Sequence, residues 1–150
     1  MGMEIERKFL INEIPADLDS YEHSVIEQGY ISTDPVIRIR RYGDRYILTV
    51  KGPGRFAREE HELMLTAESY ARLKTKVEGR VISKTRYLIP YKDGLVIELD
   101  HFHEPMTGLY LAEVEFPDEE AALSFTPPNW FAEDVTGVEK YYNSAMSRMG

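Results

Sequence analysis

Eight segments of this chain, at residues 4–11, 25–32, 36–42, 45–51, 56–65, 81–91, 95–102 and 110–116, read as strands, and most alternate apolar and polar side chains at period two. Side chains two apart on a strand share a face, so the pattern describes half-buried β-strands. Tyr42-Gly43-Asp44-Arg45-Tyr46 and Tyr91-Lys92-Asp93-Gly94-Leu95 are turn signals between consecutive segments, and connections this short favour antiparallel neighbours. The rest has helical character. Thr66 is an N-cap for residues 67–79, where Tyr70, Leu73 and Val77 share a face and Gly79 is the stop. Asp118 caps residues 119–125, and a last helix is expected over 138–149. With no internal repeat or linker, 150 residues make a single α+β domain whose sheet is curled or closed.

The polar faces are unusual in content. Acid pairs fall at Glu4/Glu6, Glu60/Glu62, Glu98/Asp100 and Glu113/Glu115; base pairs fall at Arg38/Arg40 and Lys84/Arg86; Lys8, Lys51 and Arg58 add single cations. A wet sheet face ordinarily mixes Ser, Thr and charges of both signs, because like charges side by side cost stability. Partners two apart on a strand lie roughly 6–7 Å from each other, so every pair is a local repulsion. The opposite faces carry Ile5, Phe9, Ile37, Ile39, Val50, Ile97, Leu99, Val114 and Phe116, which need cover. If helices provide that cover from outside a closed sheet, the ionic faces line a water-filled channel, since unpaired charges cannot be buried dry.

Composition narrows what such a channel holds. The absence of cysteine excludes disulfides, thiolate nucleophiles and thiolate metal sites. A net charge of −8 disfavours nonspecific binding to nucleic acid or anionic membranes. No signal-like or spanning apolar run is present, so a cytoplasmic location is expected. Seven bases against eight acids leave the channel one unit negative, and two divalent cations bring it to three positive. Carboxylates alone suit hard Mg²⁺ or Mn²⁺, and clusters of Arg and Lys suit phosphate oxygens. A compact polyanion with several phosphates, a linear triphosphate above all, matches both halves. His101 and His103 have a metal-like spacing but the wrong parity: they face away from Glu98 and Asp100.

The N-terminal Glu4-Ile5-Glu6-Arg7-Lys8 resembles the ExExK signature of the CYTH superfamily, the triphosphate tunnel metalloenzymes. The resemblance continues in order through IRIR (37–40), TVKG (49–52), REEHE (58–62), SKTRY (83–87), IELD (97–100), AEVEF (112–116) and DVTGVEKYYN (134–143). It implies an eight-stranded antiparallel closed β-barrel, a tunnel with a charged lumen flanked by helices. It also implies hydrolysis of a small-molecule triphosphate with Mg²⁺ or Mn²⁺, two ions in all. On that resemblance Arg38, Arg40, Lys51, Lys84 and Arg86 bind phosphates. Glu4, Glu6, Glu113 and Glu115 are the leading metal ligands, with Glu60, Glu62, Glu98 and Asp100 as further or supporting ones. Lys8 is either one more phosphate cation or a proton-handling group, and Glu6 joins it at the reacting centre. Tyr30, in QGYIS (28–32), is either the partner of Lys8 or a core aromatic. Arg58 serves a phosphate or a surface ion pair. Lys140 and Tyr141 close the tunnel or merely support it.

Inorganic tripolyphosphate is the leading substrate, giving pyrophosphate and phosphate, because the short chain has no module for a base or a nucleic acid. A nucleoside or thiamine triphosphatase, or an adenylate cyclase of the same superfamily, would use the same lining. A polyphosphate-binding module is the non-enzymatic alternative, although a pure anion binder gains nothing from eight carboxylates.

Overall fold

The computed structural model describes residues 2–54, 56–103 and 106–147. Its strands are β1 (Gly2–Ile11), β2 (Glu22–Thr33), β3 (Val36–Tyr42), β4 (Arg45–Lys51), β5 (Ala57–Leu65), β6 (Glu78–Pro90), β7 (Val96–Phe102), β8 (Tyr110–Glu115) and β9 (Phe131–Asp134). The helices are α1 (Ala67–Lys74), α2 (Glu119–Ser124) and a single turn, α3 (Asn143–Met146). The sheet order is β5-β4-β3-β2-β6-β7-β8-β1-β9, and a further β5–β1 pairing closes the first eight strands into a ring. All pairings are antiparallel. β1 makes the closure possible: along one edge it pairs with β5 through residues 2–5 and then with β9 from Phe9 onward, while its other edge carries β8. The expected eight-stranded closed barrel is borne out.

The apolar core lies outside the ring. Ile5, Phe9, Ile97, Leu99, Ala112, Val114 and Phe116, from the outer faces of β1, β7 and β8 and the residue after β8, pack with Ala122 of α2 and Phe131 of β9. Phe9 and Phe131 meet with ring centroids 4.8 Å apart, and Phe125 closes over Phe9 at 6.0 Å. Leu99, Ala112 and Val114 are wholly buried, and full burial of an aliphatic or aromatic side chain contributes about 1.5–3 kcal/mol. A second cluster lies at one end of the ring. There the inward positions turn apolar, and Ile82, Phe102 and Leu111 pack against Val135 and Met146 of the C-terminal segment.

Several boundaries differ from the sequence expectation. Thr66 caps α1 as expected, its hydroxyl accepting from the Ser69 amide at 3.1 Å, but the helix ends at Lys74, before Gly79. The chain turns after Thr75 so that Val77 can press onto β2, where a Cβ on Gly29 would lie 2.7 Å from Val77 Cγ2. Gly79, at φ +70°, belongs to β6, which starts earlier than expected. Asp118 caps α2 through the Ala121 amide. The expected C-terminal helix is a 3₁₀ turn at Glu139–Tyr141 followed by α3, interrupted at Tyr142 in an extended conformation; its expected last residues, 148 and 149, lie outside those described. β9 was not expected: four residues are too few to show a period. Among the described residues, no helix is long and apolar enough to cross a membrane.

Candidate active site

Because register partners on adjacent strands point the same way, Glu4, Glu6 and Lys8 of β1, Arg38 and Arg40 of β3, Lys51 of β4, Arg58, Glu60 and Glu62 of β5, Lys84 and Arg86 of β6, Glu98 and Asp100 of β7 and Glu113 and Glu115 of β8 all turn into the ring. They enclose a cavity of about 290 Å³. Its lining includes Glu4, Glu6, Lys8, Tyr30, Arg38, Arg40, Lys51, Arg58, Glu60, Glu62, Lys84, Arg86, Glu98, Glu113 and Glu115. Of the candidate metal, phosphate and catalytic residues from the sequence, Asp100 alone lies behind the lining, while Lys140 and Tyr141, expected to close or support the tunnel, are also off it. Asp100 is 1% exposed, and its oxygens take Arg86 Nε at 2.8 Å, Arg86 Nη2 at 2.9 Å and Lys84 Nζ at 2.7 Å.

The charges divide into compensated and uncompensated groups. Arg86 is a hub: besides Asp100 it reaches Glu113 Oε1 at 3.2 Å and Glu98 Oε1 at 3.3 Å. Burial alone would raise the Glu113 carboxyl, but Lys8, Arg86 and Lys84 outweigh it and hold the group far below the usual range. Lys51 binds Glu4 at 2.9 Å and Glu60 at 3.6 Å, while Arg58 reaches Glu4 at 3.5 Å.

Two groups lack such partners. On β3, Arg38 donates to Thr49 Oγ1 at 3.4 Å and Arg40 reaches Glu62 only at 4.0 Å. The buried Nε atoms of both arginines have no hydrogen-bond partner among the described residues. Burial, with the positive charge of Arg38 alongside, pulls Arg40 down to about 9. Across the cavity, Glu6 and Glu115 oppose each other in register. Burial and then Glu113 and Glu4 push Glu6 well above the ordinary carboxylate value; burial and then Glu4, Glu98 and Glu60 push Glu115 up to about 7. One wall therefore calls for an anion and the other for a cation.

The donor chemistry of the acidic wall fits a hard divalent cation, being all carboxylate oxygen under mutual repulsion. Among the described residues, no three acids or histidines are gathered as a ready metal site. Mg²⁺ in phosphoryl-transfer sites is commonly held by one or two carboxylates together with substrate phosphates and water, so a full protein cage is not required.

A CYTH domain model matches residues 2–142. The chain belongs to the CYTH family. Its CYTH relatives include an inorganic triphosphatase of Nitrosomonas europaea, 40% identical over 148 residues and 96% of both chains. An inorganic triphosphatase of Acetivibrio thermocellus is 36% identical over 152 residues, covering 96% of this chain and 92% of that one. Among solved structures, an inorganic triphosphatase superposes with a TM-score of 0.72 at 37% identity, covering 100% of this chain and 97% of the other.

Within the cavity of this CYTH protein, the C-terminal segment contributes more than its motif suggested. Lys8 Nζ donates to the Tyr141 carbonyl at 3.1 Å, lies 3.8 Å from Glu113 and sits 4.4 Å from the centre of the Tyr142 ring. Tyr30 is buried on the same lining, its hydroxyl raised by burial and eased by Arg38 and Lys8. Tyr142 and Asn143 line the cavity, and buried Gln28 bonds to Asn143; sequence reading missed all three as site residues. The signal for Tyr142 and Asn143 was the end of the 134–143 motif. Gln28, one uncharged residue in a strand, gave none. His101 stacks on Tyr110 and His103 bonds Ser83 and Thr85, both away from the lining as their parity required.

Proposed function

We propose that this CYTH protein hydrolyses inorganic tripolyphosphate to pyrophosphate and phosphate in a reaction that depends on Mg²⁺ or Mn²⁺. The observation that carries the reading is the pair of uncompensated walls facing one cavity: Arg38 and Arg40, whose Nε atoms have no hydrogen-bond partner among the described residues, opposite the crowded carboxylates Glu6 and Glu115. The relatives named above as inorganic triphosphatases, at 40% and 36% identity over nearly the full chain, support the same substrate.

In this reading the oxygen of a water attacks the terminal phosphorus, the bond to the bridging oxygen breaks, pyrophosphate departs with the bonding electron pair, and the proton lost by the water passes to solvent or a product phosphate oxygen. Arg38 and Arg40 grip phosphate oxygens through forked N–H donors that find too few acceptors in the protein. Lys84 and Arg86, already fixed on Asp100, present directed positive charge, which is where most catalysis in phosphoryl transfer comes from. Lys51 and Arg58 extend this cationic surface, anchored on Glu4. Lys8, held by the Tyr141 carbonyl and Glu113, adds charge without freedom to swing, and Tyr30 stands as a hydroxyl donor beside Arg38. Glu6 and Glu115 would hold divalent ions, with Glu4, Glu60, Glu62, Glu98 and Glu113 around them; Asp100 supports from behind. Two such ions, when bound, supply Lewis-acid neutralisation of phosphoryl oxygens and a more acidic water.

A phosphate-release screen over tripolyphosphate, pyrophosphate, ATP and thiamine triphosphate, with Mg²⁺, with Mn²⁺ and with chelator, tests the reading. Turnover of tripolyphosphate above the others, abolished by chelator, is expected. Faster release from a nucleotide or thiamine ester would reassign the substrate, and tight binding of tripolyphosphate without turnover under either ion would make the tunnel a binding module.

A further inference from the structure

Lys84 is 1% exposed, yet its ammonium borders the cavity. Two of its contacts are fixed: Asp100 Oδ2 at 2.7 Å and the side-chain oxygen of Asn143 at 3.0 Å. An ammonium has three N–H bonds in tetrahedral array. With two of these directions taken by the anchors, the third N–H is the one left for the cavity that Lys84 lines. The two anchors differ in kind. Asp100 supplies a compensating charge, whereas Asn143, an amide, accepts a hydrogen bond and leaves the net charge of the lysine unaltered.

An asparagine amide presents either its oxygen or its NH₂ group, and only the oxygen can face Lys84. Gln28, from β2, favours that choice. Its Nε2 donates to the same Asn143 oxygen at 2.7 Å, so two donors converge on one acceptor. Gln28 is wholly buried, and in this pose its own carbonyl oxygen is left without a hydrogen-bond partner among the described residues. An apolar residue there would avoid the orphaned carbonyl but would forgo the second donor. The stability of the barrel alone gives no reason to accept that loss, whereas a requirement for the Asn143 oxygen does.

We propose that Asn143 is a positioning residue for the triphosphate reaction, aiming the free N–H of Lys84 into the tunnel, with Gln28 locking the orientation of its amide. The inference rests on the tripolyphosphatase reading and adds to it a role for the C-terminal helical turn. Lys84 would keep its charge without Asn143, since Asp100 remains, so attraction of the polyanion changes little. What is lost is direction, which matters most as charge shifts onto the departing oxygen.

The test is a double-mutant cycle on phosphate release from tripolyphosphate with Mg²⁺, using Asn143→Leu, Lys84→Met and the double variant. In the Lys84-containing protein, Asn143→Leu is expected to lower kcat about tenfold with KM within about twofold. In the Lys84→Met background the same substitution should change kcat by less than about twofold, because nothing is left to aim. Gln28→Met should reduce kcat in the same direction by a smaller factor. If Asn143→Leu does not fold, Asn143→Ser, whose hydroxyl falls short, serves in the same cycle. An equal loss in both backgrounds would show a merely structural role and overturn the inference while leaving the tripolyphosphatase reading intact. Absence of turnover in the unmodified protein would instead overturn that reading, and the inference with it.

Discussion

Glu6 and Glu115 stand opposite each other across the β1–β8 ladder, both turned into the tunnel, with no lysine or arginine within ion-pair distance of either among the described residues. Facing carboxylates destabilise a sheet, which is the ground for proposing that this pair holds a cation. Glu6→Gln and Glu115→Gln should each weaken Mg²⁺ binding, measured by calorimetry, and cut turnover about 100-fold or more, with the circular dichroism spectrum unchanged. Full activity in either variant would remove that residue from the set proposed to hold the ion.

Arg40 makes the opposite case. Among the described residues its Nε has no hydrogen-bond partner, and its one carboxylate contact is at the limit of an ion pair. A charge-assisted hydrogen bond contributes about 1.5–3 kcal/mol, so Arg40→Ala should lower kcat/KM roughly 10- to 100-fold, with a rise in KM as well as a fall in kcat. Arg40→Lys should recover only part of the loss, because a point charge cannot replace a fork. An unchanged KM would count against phosphate contact.

Away from the tunnel, Asp134 ties β9 to β1. Its carboxylate receives Arg7 Nη2 at 2.8 Å and the Thr136 amide at 2.8 Å. Burial would raise its pKa, but the Thr136 and Arg7 hydrogen bonds prevail and bring it below the ordinary value of 3.8. A carboxylate depressed in the folded state stabilises the fold above its unfolded pKa and ceases to do so as pH falls through the folded one. Asp134→Asn should therefore lower the melting temperature at pH 7, and the gap should close as the pH drops below about 3.8. A gap independent of pH would mean that the carboxylate charge is not what matters.

Gly29 and Val77 test the packing of the outer wall. Gly29→Ala would drive a methyl group to 2.7 Å from Val77 Cγ2, and overpacking of this kind costs about 1–3 kcal/mol. For a chain of this size that is a drop of several degrees in melting temperature. Val77→Ala in the same molecule should return part of it. No recovery in the double variant would place the strain elsewhere.

The tunnel was legible because charge obeys strand parity: once Glu4, Glu6, Arg38, Arg40, Lys84 and Arg86 fall on single faces, only the closure of the sheet remains to be found. What parity cannot show is depth. Glu98 and Asp100 are two apart on one strand and look equivalent in the sequence, yet Asp100 is sealed by Arg86 and Lys84 while Glu98 borders the cavity. Nor can it show meetings between uncharged residues far apart in the chain. Gln28 and Asn143 come together only because the C-terminal segment folds across one end of the ring. The length of α1 was misjudged for a related reason: helical spacing continues to Val77, but contact with Gly29 takes that residue out of the helix.

With the larger share of the aromatic and aliphatic packing seated between the ring's exterior and the α2–β9 layer, most of the cohesion lies in a compartment apart from the chemistry. Exchanging one lining side chain for another disturbs solvent and charge but leaves the Phe9–Phe131 contact untouched. A lineage built on this plan can retune what it recognises one residue at a time, without first renegotiating how it folds.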